Sequence, residues 1–97
     1  MQQQAMKLER ENDMIKPTLH MNGTSAKELH LCYLEAMQQL ANAIDAVRAT
    51  VPHGRDYYPQ GNDVILAASK EHKARMMALN KIHEEMYELA IHTHTKA

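Results

Sequence analysis

The chain has 97 residues, with 11 Lys and Arg against 12 Asp and Glu and a formal net charge of -1. That length allows one domain, and that balance excludes a basic nucleic-acid coat and an acidic mimic of nucleic acid, so any anion binding must come from a local patch. Trp and Phe are absent, Tyr numbers four and Met eight, so the core is expected to be thin and adaptable.

Residues 1–17 open with good helix formers and few apolar anchors, namely Met6, Leu8, Met14 and Ile15, and are expected to form a short helix or an N-terminal arm. This stretch is too polar for a signal peptide. No apolar run approaches the roughly 18 to 20 residues that span a bilayer. A cytoplasmic, non-membrane protein is therefore expected. Pro17 ends the arm, and the segment to Asn22 reads as extended, because proline fixes its own φ and turns the preceding residue away from helix.

Asn22-Gly23-Thr24 is turn chemistry, and Ser25 followed by Glu28 is the pattern of a capping box. A helix is predicted over about 25–50. Its apolar positions Leu29, Tyr33, Met37, Leu40, Ile44, Val47 and Val51 advance by three and four along one face. Cys32, Leu34, Ala36, Ala41 and Ala43 widen the stripe beyond what one partner helix covers. Cys32 is read as a small buried hydrophobe; being the only cysteine, it forms no intrachain disulfide and fits a reducing compartment.

Pro52-His53-Gly54 breaks this helix, and Pro59-Gln60-Gly61-Asn62 prepares the next, with Asn62 or Asp63 as N-cap. From Asp63 to His92 there is neither Pro nor Gly. Ile65, Ala68, His72, Met76, Leu79, Ile82, Met86 and Leu89 repeat the helical spacing, giving a second helix over about 63–92 that is about 45 Å long. His72 lies in the register as a core or interface histidine. A loop of about ten residues makes the two helices antiparallel neighbours. The predicted fold is all-α: a long antiparallel helical hairpin over 18–97 that assembles, because its stripes are too wide for one hairpin, into a homo-oligomer between dimer and hexamer.

The connecting loop concentrates the chemistry. Arg55 offers a planar fork suited to phosphate, Tyr57 and Tyr58 offer faces on which a base can stack, and Asp56 and Gln60 can read sugar hydroxyls or base edges. The structural alternative has the tyrosines covering the hairpin end while Arg55 and Asp56 cap helices. Downstream, Lys70, Lys73, Arg75 and Lys81 precede Glu84, Glu85 and Glu88, which would make the loop end electropositive unless these charges are solvated and paired with Glu71 and its neighbours. The candidate ligand-binding set is Arg55, Asp56, Tyr57, Tyr58, Gln60, Lys73 and Arg75.

Seven histidines invite a metal reading, but their spacing does not carry one: His83-Glu84-Glu85 lacks the second histidine of a metalloprotease helix, and His92-x-His94 stands where a helix end is expected to fray. No metal site and no cofactor are expected. No serine or cysteine has the context of a nucleophile and no Gly-rich phosphate loop is present, so an enzyme is not expected either.

The stretches Leu19-His20-Met21-Asn22-Gly23-Thr24-Ser25 and Gly54-Arg55-Asp56-Tyr57-Tyr58-Pro59-Gln60-Gly61, each before a long helix, resemble small helical proteins of bacteriophages, most of all the Thoeris anti-defence sponge family. The likeness covers about residues 18–92. It implies helical oligomers, often hexamers, that bind cyclic ADP-ribose isomers and in some members cyclic oligonucleotides. It further implies binding without cleavage, so that the signal never reaches its host effector. Arg55, Tyr57 and Tyr58 match that family's loop motif, and Arg75 is its candidate from the following helix. The chain is short for the family and carries fewer aromatics. Two competing expectations stand beside this one: a helical inhibitor or adaptor acting on a host protein through the wide apolar face, and a small enzyme or nucleic-acid binder, the latter disfavoured by the near-neutral charge.

Overall fold

Ser25 starts the first helix as its sequence context predicts. In the computed structural model, which describes residues 14–94, the Ser25 hydroxyl accepts from the Glu28 N–H at 3.1 Å, supplying one of the donors that a helix start leaves without a partner. Helix α1 spans Ala26–Arg48. At its other end the Ala49 N–H reaches the Asp45 carbonyl and the Thr50 hydroxyl donates to the Val47 carbonyl at 2.6 Å. Arg48, in the last turn where a cation suits the helix dipole, pairs with Asp45 at 2.8 Å. The helix thus stops two residues before the expected end, and Val51, placed in its register by spacing, lies outside it and is exposed.

Two short 3₁₀ turns, Gly54–Asp56 and Tyr58–Gln60, carry the chain across. Gly61 leaves the second turn at φ 126°, a conformation that a side chain would strain. Helix α2 then runs Val64–His94. The Asp63 carbonyl accepts from the Ala67 N–H, which puts Asp63 at the N-cap position, one of the two residues expected there. Among the described residues there is no strand, and none of the helices is long and apolar enough to cross a membrane.

The helices pack along their length in opposite directions, since His30 near the start of α1 meets Ala90 and Thr93 near the end of α2. Leu29, Tyr33, Met37, Leu40, Ile44 and Val47 of α1 are buried or half-buried, as their spacing predicts. On α2 the inward row is Ile65, Ala68, His72, Met76, Leu79, His83, Met86, Ala90 and Thr93. The expected row had Ile82 in place of His83 and ended at Leu89; Ile82 is 44% exposed, and Leu89 is half-buried beside the buried Ala90. From Leu79 the seam takes a step of four, which keeps pace with a 3.6-residue turn over so long a helix, where a step of three would fall behind it.

Only Ile44, His72, Ala90 and Thr93 are buried among the described residues. His72 is therefore a core histidine. Cys32 is exposed, contrary to its reading as a buried hydrophobe: on α1 it is four residues before Ala36 and three after Leu29, at the outer edge of the stripe where α2 does not reach.

Residues 14–20 form no regular structure, in keeping with the extended reading after Pro17, and His20 and Gly23 close a turn through a 3.2 Å backbone bond. The Pro17 carbonyl accepts from His92 Nε2 at 2.8 Å, which ties this segment to the end of α2. The short helix or arm expected over 1–17 falls mostly outside the described residues.

Candidate functional site

The loop brings five of the seven candidate residues into one short stretch. Backbone bonds set its shape: Asp56 N–H to His53, Tyr57 to Gly54, Gln60 to Tyr57 and Gly61 to Tyr58, all between 2.9 and 3.1 Å. Tyr57 is half-buried and Tyr58 is 70% exposed. Arg55, Asp56 and Gln60 are exposed, and the side chains of all five make no hydrogen bond or ion pair with any described residue. Arg55 and Asp56 consequently do not cap the helix ends: α1 is closed by its own backbone and Thr50, and α2 begins at the Asp63 carbonyl. Half-burial of Tyr57 agrees with part of the structural alternative, a ring that covers the hairpin end.

Lys73 and Arg75 stand apart from this stretch. Lys73 is nine residues into α2, about 13 Å along its axis, and two positions on a helix point about 200° from each other, so the two cations diverge to different sides. Arg75 is exposed and lies 3.6 Å from the Glu71 carboxylate, the arrangement of a solvated surface pair that contributes little to stability. What the loop offers chemically is one guanidinium, one carboxylate, one amide and an exposed aromatic face, none of them engaged by the rest of the hairpin.

The opposite end is built differently. His30 Nδ1 donates to the Ala90 carbonyl at 2.8 Å and lies 3.3 Å from Thr93 Oγ1, whose own hydroxyl donates back to the Leu89 and Ala90 carbonyls. Thr93 is fully buried. The rings of His30 and His94 lie 5.1 Å apart at 37°, beside an apolar groove of about 180 Å³ between the helices, lined also by Leu34, Met37, Tyr87 and Ile91. A second, more polar recess of about 340 Å³ lies between residues 16–19 and His92. Sequence reasoning missed this cluster because it took His92-x-His94 for a fraying end, whereas α2 stays helical through His94. Distance from the loop would not have found it: His30 is 18 residues before Arg48 and residue 82 is 18 after Val64, whereas His30 meets Ala90 and Thr93. Among the described residues no three or more His, Cys, Asp or Glu gather as a metal site.

No protein-family model, no curated protein and no solved structure matches the chain.

Proposed function

We propose that the chain is a phage anti-defence protein, a homo-oligomer that binds nucleotide immune signals, either cyclic ADP-ribose isomers or cyclic oligonucleotides, and sequesters them without cleavage. The observation that carries this reading is the loop: Arg55, Asp56, Tyr58 and Gln60 are presented together, exposed and without a side-chain partner among the described residues, on a backbone held by four turn bonds. Side chains left this way cost the fold nothing to engage elsewhere. A guanidinium for phosphate, a phenol ring for a base and two hydrogen-bonding groups for sugar or base edges are the set that a nucleotide requires.

The test is a thermal-shift screen of the purified protein against cyclic oligonucleotides and ADP-ribose derivatives, followed by denaturation and mass analysis of what is released. A stabilising ligand recovered intact, and lost in Arg55→Ala and Tyr58→Ala, supports the proposal. No shift across the panel refutes it. The alternative, an inhibitor or adaptor of a host protein, draws on Leu31, Leu34, Tyr87 and Ile91, which are 42–55% exposed, and predicts that changes on those helix faces outweigh changes in the loop.

A further inference from the structure

We propose that Asn22 is a site of covalent modification: it deamidates by reaction with water to aspartate and its β-linked isomer, and the imidazole of His20 is the base that starts the reaction. The site lies in the turn before α1. It goes beyond the nucleotide reading and does not depend on it.

Three observations carry the inference. The first is the pair itself. Deamidation begins when the amide nitrogen of the next residue attacks the asparagine side-chain carbonyl, and glycine in that place has no Cβ to obstruct the approach. Asn22 and Gly23 are such a pair, and residues 20 to 25 are all exposed. The bond from the Gly23 N–H to the His20 carbonyl is 3.2 Å long, at the far end of the range for N–H···O, so it holds that amide weakly.

The second is the placement of the ring. A Cβ on Gly23 would stand 3.0 Å from His20 Nε2 and 3.4 Å from Cδ2 and Cε1, so the imidazole lies against the residue whose amide must lose a proton. Among the described glycines only Gly61 has a positive φ. What calls for glycine at position 23 is therefore the ring and not the backbone conformation. The His20 side chain makes no hydrogen bond or ion pair with any described residue, and a neutral imidazole keeps one nitrogen to accept a proton.

The third is contrast with the other described asparagines. Asn42 and Asn80 lie inside the two long helices, where the following N–H is bonded within the helix, and Asn42 also accepts from Gln38 at 3.3 Å. Asn62 precedes Asp63, whose side chain crowds the attack. Among the described residues, Asn22 alone combines an exposed turn, a following glycine and an adjacent base.

The chemistry balances with water as co-reactant. His20 takes the proton of the Gly23 N–H, directly or through one water; the amide nitrogen bonds to Asn22 Cγ, the Cγ–Nδ2 bond breaks, and the proton leaves with the nitrogen as ammonia. A cyclic imide remains. Water opens it at either carbonyl, giving aspartate or a chain that continues through Cβ with one more backbone atom. Both products add one negative charge between the Pro17 segment, which His92 holds, and the Ser25 cap of α1.

The experiment incubates the full chain at neutral pH and follows, by peptide mapping and mass spectrometry, the replacement of amide by acid at each asparagine. Conversion is expected at Asn22 well ahead of Asn42, Asn62 and Asn80, and it should be slowed at least about threefold in both His20→Ala and His20→Phe. His20→Phe keeps a ring against Gly23 without a base, so it separates proton transfer from packing. No conversion at Asn22, equal conversion at the helical asparagines, or a His20→Phe rate equal to that of the unaltered chain overturns the proposal. Should either variant misfold, circular dichroism shows it, and the other variant decides.

Discussion

The two ends of the hairpin divide the work of the chain. At the open end, side chains are used up internally: Thr93 is fully buried and bonds two carbonyls, His30 binds across to α2, and His92 holds the Pro17 segment. At the loop end, backbone bonds make the shape and the side chains of Arg55, Asp56, Tyr58 and Gln60 are left over. Polar groups that are satisfied inside a fold stabilise it, and polar groups held out in water by a rigid turn are available for a ligand. The difference teaches where to look for stability and where to look for binding in a protein with four buried residues among those described.

The largest effect is expected at the open end. Ala90 is 3% exposed on the seam, and enlarging a residue in a packed site costs typically about 1–3 kcal/mol through displaced neighbours. Ala90→Leu should lower the thermal midpoint followed by circular dichroism by several degrees or more. An unchanged midpoint would mean that the seam here is looser than its burial implies and would erase the contrast between the ends.

An intermediate effect is expected where the loop's backbone, and not its side chains, sets the structure. Gly61 has φ 126° and open space where a Cβ would stand, with Val64 no closer than 4.0 Å. Any loss in Gly61→Ala therefore comes from backbone strain, of the order of 1–2 kcal/mol. Denaturant unfolding measures it directly. A neutral result would show that the turn can relax, and with it the rigid presentation of Tyr58 and Gln60.

How much of this was legible in the sequence follows from the same contrast. Helix starts were readable because their causes are local: Ser25 three residues before Glu28, and Asp63 after a Pro-Gly segment. The α1 seam was readable because its spacing is regular. Side-chain identities in the loop were readable as chemistry, but their freedom from internal partners was not, since that depends on Thr50 and the backbone closing α1 instead. Position 82 against 83 was lost because a long helix lets the seam drift by one residue, and spacing alone cannot decide between adjacent apolar and histidine positions. Cys32 was misplaced for a related reason: stripe width counts apolar residues, whereas burial depends on how far around α1 the single partner helix reaches. The open-end cluster depends on contacts between residues some sixty positions apart, and only the hairpin pairing brings them together.

The smallest effect on stability is the sharpest test of the comparison. Arg55→Ala and Tyr58→Ala remove side chains that bond to nothing among the described residues, and Tyr58 is 70% exposed; exposed substitutions of this kind usually stay within about 0.5 kcal/mol. Their melting curves should overlay that of the unaltered chain. If they instead destabilise it by more than about 1 kcal/mol, the loop side chains serve the fold, and their availability to a ligand, on which the proposed function rests, is lost. If the curves overlay while a ligand-induced shift disappears, stability and recognition are separable along the length of one hairpin, and the loop is where recognition sits.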